Sequence, residues 1–365
     1  VYLQQLSVIN FRNYPEARLD FTPHWNLFSG DNGSGKTTLL DAIHYLCLGK
    51  SYFHHSDLTS VKHESTFFRI DGSFSDDQVL RMVCVYEAGG KKELQKNGVG
   101  YSRIADHVGL IPIVMVTPDD QLLIDEGSDV RRRFMDGTIS QIDHTYLENL
   151  IEYNRVLQQR NSALKQLAER RKTDRALIES YDRKLCDSGE RIYQLRMEYF
   201  SRMIPLIRQL HSRLSSETEE VSAEYASVCN SENLAIALSA SFEKDCITQR
   251  TNEGVHRDDF DFFLSNKSLK RFGSQGQKKS FLMSLKFAQY ELIKREKNLL
   301  PLLLLDDLFD KLDEKRSRNI FNLIADSGFG QVFITDTHSD RVRELISQHP
   351  ASFTHYLLPD LKKCD

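Results

Sequence analysis

The spacing of apolar positions changes twice along this chain. Over residues 1–137 they come in short runs separated by turns. Leu3–Ile9, Phe67–Phe74, Val79–Tyr86 and Ile111–Val116 read as strands, and 12 of the 18 glycines fall here. From 138 to 253 only Gly189 and Pro205 punctuate the sequence, as expected of long helices. Leu150, Leu157 and Leu164 lie seven apart, while Phe200, Met203, Ile207, Leu210 and Leu214 alternate by three and four. Asn154 and Asn161 interrupt the first stripe, so an antiparallel helical arm is expected rather than a long regular coiled coil. After 254 the strand and turn signals return. The order predicts an α/β head built from residues 1–137 and 250–365, with 138–249 inserted as a helical arm domain.

Composition narrows the class. With 365 residues, 40% hydrophobic and 27% charged, the chain has ample material for a core and is not disordered as a whole. Apolar runs such as Leu299–Leu305 end far short of a membrane span. Phe11-Arg12-Asn13 breaks the first apolar stretch with no cleavage site after it, so a cytoplasmic protein without a leader is expected. Lys and Arg number 48 against 52 Asp and Glu, a formal charge of −4, so no bulk basic footprint marks nucleic-acid binding. Two local clusters, Arg131-Arg132-Arg133 and Arg170-Arg171-Lys172, either contact DNA phosphates or brace the arm. The six cysteines form no CxxC pair and read as buried free thiols of a reducing compartment, with zinc not expected.

The chemistry begins at Gly30-Asp31-Asn32-Gly33-Ser34-Gly35-Lys36-Thr37-Thr38, a full G-x-x-x-x-G-K-[ST] match. Trp25–Ser29 reads as a strand running into it, and Leu39, Leu40, Ala42, Ile43 and Leu46 as the helix after it. Glycines allow backbone N–H groups to turn inward around phosphate oxygens, and the helix start adds its positive end. Lys36 is placed for the β- and γ-phosphates of ATP and Thr37 for Mg²⁺. Leu302–Leu305 then Asp306-Asp307 supplies the partner acids at the end of a buried strand. Asp306 is the expected metal holder and Asp307 the group that orients or deprotonates attacking water. Some 270 residues separate Lys36 from Asp306, wider than in small P-loop enzymes, and no N-K-x-D marks a GTPase.

Further segments extend the pattern: Ile9–Tyr14, Pro118-Asp119-Asp120, Arg131–Asp136, Val255-His256-Arg257-Asp258-Asp259, Ser274-Gln275-Gly276-Gln277-Lys278-Lys279 and Leu304–Asp313. Over nearly its whole length the chain resembles the bacterial RecF family, recombination mediators related to the SMC and ABC ATPases. The resemblance implies a P-loop head of the ABC/SMC type with a β-rich N-terminal lobe and an inserted arm. It reads Ser274, Gly276 and Gln277 as an ABC signature that meets the γ-phosphate held by a second copy. Read alone, that segment also fits an ordinary helix cap. Arg12 corresponds to a nucleotide-proximal arginine, His338 to a γ-phosphate sensor, and Asp310 and Asp313 to an interface turn. Asp119 or Gln121 is a candidate link from nucleotide to arm. His256, Arg257 and Asp258 either form a structural network or face nucleotide or DNA.

The function implied is an ATP-dependent DNA-binding mediator that dimerises on ATP. It binds duplex or gapped DNA, including single-strand/duplex junctions, and hydrolyses ATP slowly under DNA stimulation. It works with a RecR-type partner to load recombinase in repair, replication restart and the SOS response. A different SMC-like head, serving a nuclease or chromosome-structure complex, is the alternative, although the 138–249 insert is short for it. A transporter ATPase is disfavoured by the insert and the missing glutamine loop.

Overall fold

A computed structural model describes residues 1–75, 79–215, 219–308, 314–326, 328–337, 340, 342–344 and 353–364. The described residues form two compact units, one from 1–120 and 286–365, the other from 121–285. The second is wider than the 138–249 arm read from glycine and proline spacing. Residues 121–137 and 250–285 cluster with the long helices, because they carry the polar partners of those helices described below.

In the first unit the chain runs β1 (Tyr2–Phe11), β2 (Tyr14–Asp20), β3 (Trp25–Ser29), α1 (Lys36–Leu48), β4 (Phe67–Ser75), β5 (Leu80–Glu87), β6 (Lys92–Lys96), β7 (Val99–Gly100) and β8 (Ile113–Val116). The second unit holds α2 (Leu122–Asp125), α3 (Ser128–Ile142), α4 (His144–Glu169), α5 (Arg175–Leu214), β9 (Val221–Ala226), α6 (Leu234–Ala240), α7 (Phe242–Thr248), β10 (Asp259–Leu264), β11 (Lys267–Ser268) and α8 (Leu269–Phe272). Helix α9 (Gln275–Lys297) leads back to β12 (Leu302–Leu305), α10 (Glu314–Asp326), β13 (Val332–Asp336), β14 (Phe353–Leu357) and β15 (Lys362–Cys364) of the first unit. The predicted strands are thus found within two residues of their expected bounds. None of the described helices is long and apolar enough to cross a membrane.

Two sheets enclose α1. One is antiparallel, ordered β2-β1-β4-β5-β6-β7; the other is ordered β15-β14-β3-β13-β12-β8, parallel except for β15. Strand β2 tolerates Pro15 because it is an edge, where a missing N–H breaks no ladder. Helix α1 is buried on nearly every side. Leu39, Leu40, Ala42, Ile43, Tyr45, Leu46 and Cys47 join one core with Leu6, Phe11 and Ile70 of the first sheet and Phe28, Leu304 and Phe333 of the second. Gly72 permits this approach, since a Cβ there would stand 2.2 Å from Leu46 Cδ2. The phosphate-loop helix is therefore clamped by both sheets.

In the second unit α4 and α5 pack side by side, and the short turn between them makes them antiparallel, as expected. The seam on α4 differs from the leucine stripe. Its buried residues are Tyr146, Asn149, Tyr153, Val156, Arg160, Ala163 and Leu164, with Leu150 and Leu157 only half-buried. The face is rotated because Arg160 and the tyrosines reach polar partners that leucine cannot serve. On α5 the stripe Phe200, Met203, Ile207, Leu210 and Leu214 is buried as read. The cysteine expectation needs correction: Cys47 and Cys84 are buried, whereas the other four are only partly covered.

Candidate nucleotide site

Strand order builds this site. Strand β3 delivers the glycine loop and β12 the two acids, with β13 between them in the sheet. The C-terminal ends of parallel strands therefore converge where such sheets bind ligands. The Thr37 hydroxyl donates to both Asp306 oxygens at 2.9 and 3.0 Å, closing a gap of 269 residues. Lys36 is buried, and its Nζ donates to the carbonyls of Gly30 at 2.9 Å and Asp31 at 3.2 Å. It lies 4.0 Å from Asp307 Oδ1.

The loop is shaped by two glycines that nothing larger replaces. Gly30 has φ +149° and would set a Cβ 2.7 Å from the Leu358 carbonyl; Gly35 has φ +101° and would meet Asn13 Nδ2 at 2.5 Å. Among the described residues, the buried Ser34 Oγ has no hydrogen-bond partner. A buried hydroxyl left unsatisfied costs about 1–3 kcal/mol unless something binds it, so the loop fits a phosphate. The facing hydroxyl and carboxylate of Thr37 and Asp306 are hard oxygen donors, which suit Mg²⁺.

Thr335, at the end of β13, escaped sequence reasoning. Its hydroxyl donates to Asp306 Oδ1 at 2.8 Å and accepts the Asp307 N–H at 2.8 Å. Asp307 needs such support because its φ of +41° is strained for a non-glycine residue. No local pattern marks Thr335: only the β3-β13-β12 order brings the end of β13 to the acids. Burial raises the Asp306 carboxyl. The Thr335 and Thr37 hydroxyls oppose this, Asp307 adds to it and Lys36 opposes it, leaving a pKa of about 6.

Behind α1 lies a second polar cluster. Asp41 accepts hydrogen bonds from Arg12, from the Ser51 hydroxyl and from the Tyr52 N–H. Arg12 also stacks over Phe53, with its guanidinium carbon 5.7 Å from the ring centre. In this structure Arg12 braces the phosphate-loop helix. Asp120, rather than the exposed Asp119, is the buried member of the Pro118–Gln121 turn, bonded by Tyr52 Oη at 2.5 Å and Lys286 Nζ at 3.0 Å. Gln121 belongs to the other unit and donates to Asp125 and Gln275.

The remaining candidates lie in the 121–285 unit or outside the described residues. Ser274 and Gln277 form a reciprocal capping box: the Gln277 N–H donates to Ser274 Oγ at 3.2 Å, and the Ser274 N–H donates to Gln277 Oε1 at 2.7 Å. Ser274 and Gln275 are exposed, and Gly276 is half-buried. In the His-Arg-Asp-Asp segment, His256 and Asp258 join a polar network. Asp258 accepts from Arg196 at 2.9 Å and from the Tyr225 hydroxyl, and His256 Nδ1 meets Tyr153 Oη at 2.8 Å. The first arginine cluster has partners: Arg131 pairs with Asp259 at 2.7 Å, Arg132 donates to the Asp258 carbonyl, and Arg133 makes an exposed pair with Asp129 at 3.0 Å within α3. His338, Asp310 and Asp313 lie outside the described residues.

Comparison with known proteins places the chain in a family. The family described as AAA domain matches residues 5–345. DNA replication and repair protein RecF of Flavobacterium johnsoniae is 41% identical over 347 residues, covering 95% of this chain and 97% of the relative. Its counterpart in Cytophaga hutchinsonii is 40% identical over 358 residues, covering 98% and 95%. Among solved structures, the recombination mediator protein RecF-ATPrS of the RecFOR pathway superposes with a TM-score of 0.90 at 28% identity, covering 100% of this chain and 98% of that one. An Smc head domain with an extended coiled coil, from Pyrococcus furiosus, shares the fold at a TM-score of 0.56 and 16% identity, covering 99% and 95%. At these identities and coverages the chain belongs to the RecF family, with the P-loop ATPase fold of the ABC/SMC head type.

Proposed function

We propose that the protein is an ATP-dependent DNA-binding recombination mediator of the cytoplasm, whose slow, DNA-stimulated ATP hydrolysis serves as a conformational switch. The observation that carries the reading is the meeting of Lys36, Thr37, Asp306 and Asp307 at one sheet end from opposite ends of the chain. The relatives named for DNA replication and repair, and for the RecFOR pathway, support the DNA and mediator parts.

Residues Gly30–Thr38 cradle the ATP phosphates through backbone N–H groups, and Lys36 leaves the loop carbonyls to neutralise phosphate charge. Thr37 and Asp306 hold Mg²⁺, which supplies charge neutralisation at the phosphates. Asp307 orients water for attack, and Thr335 keeps its strained backbone in place. Arg12 steadies α1 through Asp41, and His338 senses the γ-phosphate. Ser274, Gly276 and Gln277 serve the nucleotide of a second copy, so ATP closes a homodimer on duplex or gapped DNA and exposes it to a RecR-type partner.

The test is DNA binding and self-association measured with and without ATP, on duplex, gapped and single-stranded substrates. ATP-dependent dimers that prefer duplex-containing DNA are expected; binding indifferent to ATP overturns the reading. Ser274→Arg should leave ATP binding largely intact and abolish dimerisation. ATP-driven dimers of that variant contradict completion of the site by a second copy.

A further inference from the structure

We infer that the turn joining α4 to α5, at the far end of the arm hairpin, is a contact surface for the phosphodiester backbone of DNA; this rests on the DNA-binding reading above. The two basic clusters of the sequence have opposite fates. The side chains at 131–133 all have partners. Arg170, Arg171 and Lys172 are exposed, and among the described residues their side chains have no ion pair or hydrogen bond.

Local acids do not answer them. Asp174 caps α5 by accepting the Leu177 N–H at 2.9 Å, and Glu179 pairs with Arg175 at 2.9 Å. Between 165 and 172 four cations, Lys165, Arg170, Arg171 and Lys172, face the single acid Glu169. Two would suffice to complement the negative end of α4.

Backbone geometry gives a second, independent reason. Helix α4 ends in a turn where the Lys172 N–H bonds the Leu167 carbonyl and the Arg171 N–H bonds the Ala168 carbonyl, both at 3.0 Å. This is the Schellman pattern, whose left-handed position favours glycine. Here Arg171 occupies it at φ +51°. An arginine held in glycine's conformation, with no partner of its own, is a poor choice for local stability and a good one for presenting a forked donor outward. Three adjacent cations that, among the described residues, stack on no aromatic ring fit phosphate oxygens rather than bases. The 26 residues of α4 carry them about 39 Å along the arm.

The experiment is a salt titration of duplex binding by the full chain with ATP, followed by fluorescence anisotropy. It compares wild type, Arg170→Gln/Arg171→Gly/Lys172→Gln, Arg171→Gly alone, and Arg133→Ala as a control. Each lost phosphate contact should flatten the log–log salt slope by about 0.9. The triple variant should lose about two to three units and bind more weakly at low salt, with ATP binding in the absence of DNA unchanged. Arg171→Gly should lose about one unit while its thermal midpoint rises, a pairing that a merely structural residue cannot give. Arg133→Ala should keep the wild-type slope. Parallel slopes for wild type and the triple variant overturn the surface and leave ATP-dependent DNA binding standing, as does an equal flattening in Arg133→Ala. Wild-type protein that binds no duplex at any salt overturns the DNA-binding reading itself.

Discussion

Arg196 and Asp306 are both buried charges, yet their surroundings differ in kind. Arg196 donates to Asp136, Asp258, the Val255 carbonyl and Tyr146 Oη. Burial works against its charge, but Tyr146, Asp136, Tyr225 and Asp258 more than offset that and hold its pKa above the ordinary value. Arg160 is also buried and reaches Asp182 at 2.6 Å and Asp245 at 2.7 Å. Asp306 instead meets two hydroxyls, Lys36 is turned to loop carbonyls with Asp307 4.0 Å away, and among the described residues Ser34 Oγ has no partner. The arm unit pairs these buried arginines with carboxylates, although among the described residues Arg160 Nη2 and Asp258 Oδ1 have no hydrogen-bond partner. The P-loop region serves Asp306 and Lys36 mainly with neutral hydroxyls and carbonyls, which suits a site where an anionic ligand and a cation can take their place.

Mutating each side should give opposite signs. Arg196→Leu strands the buried carboxylates of Asp136 and Asp258, so urea unfolding should show a loss of about 3–5 kcal/mol, with ATP affinity of the folded protein unchanged. Asp306→Asn in chelator should stabilise the protein. The folded pKa of about 6 lies above the unfolded value near 3.8. The charged carboxylate is therefore a burden that is absent below pH 4, grows between about 4 and 6 and is full above 6. Relief of up to about 3 kcal/mol is expected at neutral pH. Thermal melts across pH 4–8 should show the gain vanishing on the acid side; a gain independent of pH would show that burial of Asp306 is not its source.

How much of this was open to reading depends on how local the physics is. Gly30–Thr38 is legible because a phosphate cradle needs glycine at positive φ in a fixed order, and Asp306-Asp307 because two acids closing an apolar strand are conspicuous. Thr335 carries no such mark, since only the sheet order aligns it with Asp306. The leucine heptad on α4 misplaces the seam, because pattern reading credits apolar residues and overlooks a buried Arg160 with its acids. His256 and Asp258 are open to two readings in the sequence, and only the structure brings them contacts from Tyr153 and Arg196, far off in sequence.

Smaller effects sharpen the contrast. Thr335→Val removes one hydroxyl from two charged groups and should lower single-turnover hydrolysis by about 10–100-fold while ATP affinity holds. Thr335→Ser should restore it, and failure of that rescue would exclude the hydroxyl as the active feature. Arg133→Ala breaks only an exposed pair with Asp129, and its unfolding free energy should move by less than about 0.5 kcal/mol.

On the function proposed above, the lysine and carboxylates gathered beside the phosphate loop serve ATP chemistry. Asp307→Asn tests it most directly, with equilibrium ATP binding and single-turnover hydrolysis measured on the same preparation. Binding within about threefold of wild type and hydrolysis reduced about 10²–10⁴-fold is the predicted result. Hydrolysis at the wild-type rate would contradict it.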